Sequence, residues 1–483
     1  MNTKLLKKLR EKEEKLIDCI YEIQDLLGTH AGFTALYSDA SVFIGKNAGI
    51  NSSHATDSVF IGQNSGENAD YGRHSVFIGY GAGQNAEQAH HSNFIGYLAG
   101  NAATYASHSN FIGRRAGDGA YQAPNSNFMG QNAGQNAVNS TNANFFGENA
   151  GYNASSAAYS NFIGFEAGSN ATYANNSNFI GNGSGVVAIN AGHSNFIGHE
   201  AGRGASEASD SNFLGMRAGY GASSAPYSNF LGRFSGRYAV NAYASNFLGH
   251  FAGDGATDAE YSNFIGKQSG QGATGAMNSN FIGAFAGQGA INGSYSNFIG
   301  KKAGLDADNA FNANFIGRSA GYQATGANNS TFLGVYSGNQ ATNAHNSTFI
   351  GAAAGGTAFH ASYSVFIGQR SGDGATNANQ SIFIGKYSGN LALSASNSIF
   401  MGQYSGAGAL GSHNILFGPT TNISPLSLSG CLVIGTGAIA TQNNSIALGS
   451  TTVPFLTSGT GTATGSYLTV RLNGINRKIA IYT

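Results

Sequence analysis

Hydrophobic residues along most of this chain come in adjacent pairs, a Phe followed by Ile, Leu, Met or Phe, and the pairs recur every seventeen residues. From the copy at Phe43 to the copy at Phe400 the unit reads F-[I/L/M/F]-G-x-x-[A/S]-G, then eight variable positions, then [S/A]-x, without insertion or deletion. A fixed period of this kind turns most of a chain into one shape repeated many times. Within a copy, Ser-Asn-Phe-Ile-Gly predicts a short extended run, and glycines such as Gly96 and Gly100 supply turns. Small residues such as Ala103 and Ala106 mark a second short stretch. Seventeen residues are too few for a helical repeat, so the pattern predicts coils of parallel β-structure. Stacked at about 4.8 Å, about twenty-two coils would build a body on the order of 100 Å long.

The adjacent pairing carries a further consequence. Neighbouring residues on a strand face opposite ways, so of Phe43 and Ile44, Phe60 and Ile61, Phe162 and Ile163, or Phe298 and Ile299, one ladder fills the coil and the other points out. An outward ladder of that length exceeds the apolar patch that a soluble monomer exposes. The expected remedy is several identical chains in parallel around one axis, each closing its ladder against the others, and three flat-sided coils suit such a bundle. The Asn before many of the Phe residues, as in Asn93, Asn110, Asn127 and Asn229, predicts a stacked amide ladder or a turn cap.

Residues 1–27 show a different pattern. No Gly or Pro falls between Asn2 and Leu27, helix formers dominate, and Leu6, Leu9, Leu16, Ile20, Ile23 and Leu27 fall on one heptad seam that Glu13 interrupts. This predicts a short coiled coil. Leu26-Leu27-Gly28, Ala31-Gly32 and Ala35 already match the repeat, as a degenerate capping copy would. At the other end the glycine of Asn414-Ile415-Leu416-Phe417-Gly418 falls sixteen residues after Gly402, and Pro419 and Pro425 break the pattern beyond it. Val433-Ile434-Gly435 and Ala447-Leu448-Gly449 then stand fourteen residues apart. The ending, with Tyr467 to Leu472, Asn473-Gly474 and Arg477 to Tyr482, predicts a β-hairpin. The expected organisation is therefore an anchor helix over 1–27, a shaft over 28–408, irregular repeats over 409–450 and a hairpin cap or tip over 451–483. Phe455, Tyr467 and Arg471 are candidate tip residues.

Composition narrows the function. Lys+Arg and Asp+Glu are 23 each and only 10% of residues are charged, so no basic block exists to neutralise nucleic-acid phosphates. The 32 Phe and 23 Tyr exclude a disordered linker, and two cysteines, Cys19 and Cys431, exclude a disulfide framework. No eighteen-residue apolar run is present, and Glu11, Glu13 and Glu14 interrupt the place where a signal peptide would be apolar. No metalloprotease, phosphate-loop or nucleophile-elbow motif occurs, and His54, His74, His90, His91, His108 and His193 lie in the variable stretch late in their copies. Neither an enzyme nor a cofactor or metal site is expected. Regular ice or crystal binding would need one outward position held constant, which variable pairs such as Arg114-Arg115 and Lys301-Lys302 deny.

The stretch IGTGAIATQNNSIALG resembles the head repeats of YadA-like trimeric autotransporter adhesins, and the seventeen-residue units look like a longer version of the same coil. That resemblance implies a trimeric left-handed β-roll with an adhesive or fibrous role. The YLTVRLNG and KIAIY segments resemble the ends of phage tail-fibre and virion structural proteins, which assemble in the cytoplasm. Together they imply an all-β, parallel β-solenoid in an elongated homotrimeric fibre, placed in a virion. Its expected partners are a baseplate, tail or capsid protein at residues 1–27 and a host surface glycan or protein, with no membrane insertion. A bacterial cell-surface adhesin is the alternative.

Overall fold

The computed structural model describes residues 7–16, 18, 28–453, 463–472 and 475–482. Residues 7–16 are helical, with Leu9 and Leu16 both exposed. The seam positions Leu6, Ile20, Ile23 and Leu27 lie outside the described residues, as does Phe455. From residue 28 to the strand Ile446–Leu448 the chain is a parallel β-solenoid, and the described residues fall into two compact units that divide between Asp306 and Ala307. We number coil positions from the Phe, so that position 1 is Phe94 and position 17 is the Asn110 that precedes the next Phe.

In the first unit every coil contributes one three-residue strand, from Val42–Ile44 to Asn297–Ile299. Within the unit each pairs in parallel with the next, seventeen residues later, Phe on Phe and apolar partner on apolar partner, as in Phe94↔Phe111 and Ile95↔Ile112. A second contact line runs through position 11, where Glu87, Thr104 and Tyr121 bridge in parallel. Residues 28–41 join the same ladder, since the Gly32 N–H donates to the Ala48 carbonyl at 2.8 Å and Leu36 to Ser52 at 2.9 Å.

The corners between these lines rest on left-handed backbone. In the coil of Phe94, six residues have positive φ: Gly96 (140°), Leu98 (52°), Gly100 (63°), Ala102 (53°), Tyr105 (55°) and His108 (60°). All but Gly100 send their N–H back to the preceding coil, as in Leu98 to Tyr80 at 2.8 Å and His108 to His90 at 2.9 Å. Asn93, Gly100 and Thr104 send theirs forward, to Ser109, Ala116 and Ala120. A positive φ flips the peptide at the corner, so a tight turn is made while both neighbouring coils are still hydrogen-bonded.

Two glycines of the repeat are set by close approach. A Cβ on Gly113, at position 3, would stand 2.5 Å from the Gly130 carbonyl oxygen of the next coil. A Cβ on Gly117, at position 7, would stand 2.2 Å from the ring of Phe111. Those rings form the core. From Phe60 to Phe298 they are fully buried, and neighbours stack with centroids 4.6 to 4.8 Å apart and planes within 6°. Alanines at positions 6, 10 and 13 fill the rest, as Ala99, Ala103 and Ala106 do in the coil of Phe94. The buried Ser at position 16 is satisfied within the ladder: Ser92 Oγ donates to the Ala106 carbonyl at 2.7 Å and accepts the Ser109 N–H at 3.1 Å.

The second unit repeats this design from Asn314–Ile316 to Ile399–Met401, with the same stack from Phe315 to Phe400. The coil length then changes while the stacking does not. Ile399 pairs with Ile415, sixteen residues on, Ile415 with Leu432, and Leu432 with Ile446, fourteen on. Leu416 and Val433 take the buried place of the Phe. A second strand line, Asn422–Ile423 against Ile439–Ala440, replaces corner turns there. Ala463–Leu472 and Ile475–Tyr482 pair antiparallel, placing Tyr467 opposite Ala480 and Arg471 opposite Asn476. The Asn473-Gly474 link lies outside the described residues.

Phe213→Ala is expected to lower stability by about 3 to 5 kcal/mol in denaturant unfolding, as truncation of a closed aromatic core does. Gly219→Ala should be similarly damaging, because its Cβ would sit 2.1 Å from the Phe213 ring. Gly255→Asn is the control. Gly255 has φ of 67° with nothing within 4 Å of a Cβ, and Asn136 and Asn153 hold that coil position elsewhere, so a change within about 0.5 kcal/mol is expected.

Candidate interaction faces

Each strand points positions 17 and 2 outward and position 1 inward. Phe60, Phe162 and Phe298 have no exposure, whereas Ile163 and Ile299 are 38% and 37% exposed; Ile44 is likewise exposed and Ile61 half-buried. Phe43, in the first strand, is half-buried. The outward ladder is apolar in every coil from Ile44 to Met401, and the neighbouring position 17 carries only Asn, Val, Thr or Ile. No charge enters this two-column face. At position 4, by contrast, Lys46, Arg114, Glu148 and Lys301 occur freely.

In the first unit the position-17 column is an amide ladder. Asn93 Nδ2 donates to Asn110 Oδ1 at 2.7 Å, Asn110 to Asn127 at 2.8 Å, and the series continues to Asn280 and Asn297 at 2.9 Å. Every bond runs the same way along the stack, so successive amides polarise one another. β-Branched side chains replace the amide in the coils of Val42, Val59 and Val76, and in the second unit at Thr331, Thr348, Val365, Ile382 and Ile399.

Position 8 carries a second polar column. Arg237 makes a bidentate pair with Asp254, both contacts at 2.9 Å, and Gln271 donates to the same carboxylate at 3.3 Å. The Arg237 guanidinium also lies 4.8 Å from the Phe234 ring centroid. At position 5, Glu200 is met by Arg217 of the next coil at 2.5 Å and by Arg203 of its own coil, at position 8, at 3.4 Å. Burial pushes the Glu200 carboxyl up, but the Arg217 bond and the charges of Arg217, His199 and Arg203 together hold it below the usual range. Apart from Arg203 on Glu200, these hydrogen-bonded pairs join one coil to the next.

Positions 12 to 15 form a third surface, where His54, His74, His90, His91, His108 and His193 fall. His74, His91 and His108 stack at 4.8 and 4.9 Å, with His90 edge-on and Asp57 3.7 Å from His74. His91, although exposed, is held below the ordinary imidazole value, first by partial desolvation against its neighbours and then by the charges of His108, His74 and Arg73. Among the described residues no group of three or more His, Cys, Asp or Glu is disposed to hold a metal ion, and no helix is long and apolar enough to cross a membrane. Cys431 is buried and unpaired, and Cys19 lies outside the described residues.

Reasoning from sequence missed the left-handed corners and the surface they shape. Their signal was present at three of the corners, because Asn, Asp, His and Gly, the residues that best tolerate positive φ, crowd positions 9, 12 and 15, while position 5 carries Arg, Phe and Tyr as readily. Compared with known proteins, the chain matches no family model and no curated protein. The fold and its repeat geometry are those of a solenoid repeat protein, the kind of architecture that elongated structural and adhesive proteins use.

Proton NMR of the imidazole resonances should place the His91 midpoint below about 6.5. Its folded value is lowered, so the unfolded chain binds protons first and this site's contribution to stability is complete above about pH 6.5 and declines on acidification. Added salt should narrow the difference, as His91 is exposed. A midpoint at or above the free imidazole value would contradict the stacked arrangement.

Proposed function

We propose that the chain is the non-catalytic subunit of a structural fibre or spike of a bacteriophage particle. Three copies lie parallel, with the Ile ladders and their Asn, Val or Thr neighbours closed against one another, and residues 1–27 bundle as a coiled coil that attaches to another virion protein. The fibre contributes to host attachment through a surface glycan or protein.

The observation that carries this reading is the uncharged outward face, apolar at position 2 from Ile44 to Met401 while position 4 beside it varies freely. A face kept free of charge through every coil is what burial against identical partners requires, because a charge left unpaired in such an interface costs several kcal/mol. A parallel arrangement keeps equal coil lengths in register over the whole array. The alternative, a trimeric adhesin of a bacterial surface, has the same body, and the fourteen-residue step between Leu432 and Ile446 is the feature that favours it.

Light scattering of the purified protein should give about 149 kDa, three times the 49.5 kDa chain. Ile197→Lys combined with Leu214→Lys should reduce the mass toward one chain while the β-sheet circular dichroism persists. A wild-type mass of one chain would sink the bundle. Immunogold labelling that marks cell envelopes and not phage particles would favour the adhesin.

A further inference from the structure

The corner at positions 12 to 15 holds a concentration of tyrosines that the fold does not ask for. Tyr159, Tyr173, Tyr227, Tyr261, Tyr295 and Tyr363 are 53 to 63% exposed and all have φ between 52° and 59°. Sister coils place Asn at those same positions, as at Asn142, Asn346 and Asn397, and Asn adopts that backbone at lower cost. A bulky residue kept in a left-handed conformation and left facing water points to a use outside the fold. Stacking between coils accounts for part of the column, as in His54 on Tyr71 at 4.5 Å. Tyr159, Tyr173 and Tyr295 make no ring contact among the described residues.

In the second unit this corner opens into a furrow lined by Asn343, His345, His360, Ser362, Tyr363, Asn379 and Gln380. No wall residue is charged and none is aliphatic. Tyr363 is 60% exposed and stands edge-on to His345 at 5.3 Å, which fixes one side of its ring and leaves the other open. Ser362 ties the floor together: its Oγ donates to the Asn343 carbonyl at 2.7 Å and lies 2.9 Å from His345 Nδ1, and its N–H donates to Asn379 Oδ1 at 3.0 Å. The side-chain amides of Asn343 and Gln380 make no hydrogen bond within the described residues. Free amides thus flank an aromatic face on a cross-linked floor.

We propose that this furrow docks a neutral oligosaccharide, with a sugar ring lying on Tyr363 and its hydroxyls paired to Asn343, His360, Asn379 and Gln380. A sugar presents an apolar C–H face and a rim of groups that both donate and accept, which matches one aromatic plane among amides and imidazoles. An anionic polymer would find no Lys or Arg, and a protein partner would find none of the aliphatic anchors of an interface core. The assignment deepens the attachment part of the proposed function. It places the contact on the lateral surface of a single chain.

The test uses the full-length protein on an array of neutral hexose and N-acetylhexosamine oligosaccharides, and then calorimetric titration with the tightest-binding one. Tyr363→Asn should weaken binding at least tenfold with the melting temperature held or raised, because Asn suits the backbone there. Asn343→Ala with Gln380→Ala should weaken it comparably. No binding on the array, binding confined to sulfated or phosphorylated glycans, or Tyr363→Asn binding at wild-type strength would each overturn the assignment. Light scattering on the same sample separates this outcome from the fate of the bundle, since the furrow's walls come from one chain and need no particular number of copies.

Discussion

The hydrogen-bond ladder between coils is the constraint on which the other features depend. A coil of seventeen residues with one three-residue strand must turn sharply several times, and at each turn its peptide groups still need partners above and below. Left-handed residues solve this by sending one N–H back while the neighbours send theirs forward. The backbone strain they carry is offset by bonds in every coil, so the strain is tolerated because the coils stack in register. Gly at position 3 is then required where two backbones approach, and Gly at position 7 where the backbone passes over a Phe ring.

Register makes each position a column, and each column acquires one physical role. Position 1 becomes a closed aromatic stack, position 16 a chain of buried hydroxyls, and position 17 of the first unit a directed run of amides. The buried hydroxyls are admitted because backbone groups of the next coil complete them, as the Ala106 carbonyl and the Ser109 N–H do for Ser92. The columns that face water are free to vary, and they hold the charges, histidines and tyrosines. Position 2 is the exception, outward yet uniformly apolar, and it ties the fold to the proposed assembly.

Much of this architecture is legible in the amino-acid sequence. The period, the parallel strands at Val42–Ile44 and its successors, the opposed directions of Phe and Ile, and the stacked Asn93 to Asn297 all come out of spacing and strand alternation. The choice of Phe rather than Ile for the interior does not, because either ladder could have filled the coil. It is decided by Gly at position 7, which leaves room for a ring and would leave a void beside Ile. The furrow at Tyr363 is hidden for another reason. Positions 12, 14 and 15 of three successive coils create it, and in the linear sequence those residues look like unrelated variation in loops.

In the proposed fibre the outward Ile column is covered by the same column of other chains. A nitroxide attached at Ile197→Cys, with Cys19 and Cys431 replaced by Ala, reads this directly in the electron paramagnetic resonance spectrum. Covered and in register, the label should be immobilised and broadened by dipolar coupling to its counterparts, and the broadening should vanish on dilution with unlabelled chains before refolding. A sharp spectrum, as mobile as that of a label at the open corner residue Gly204, would mean that the ladder faces water and that the bundle does not form.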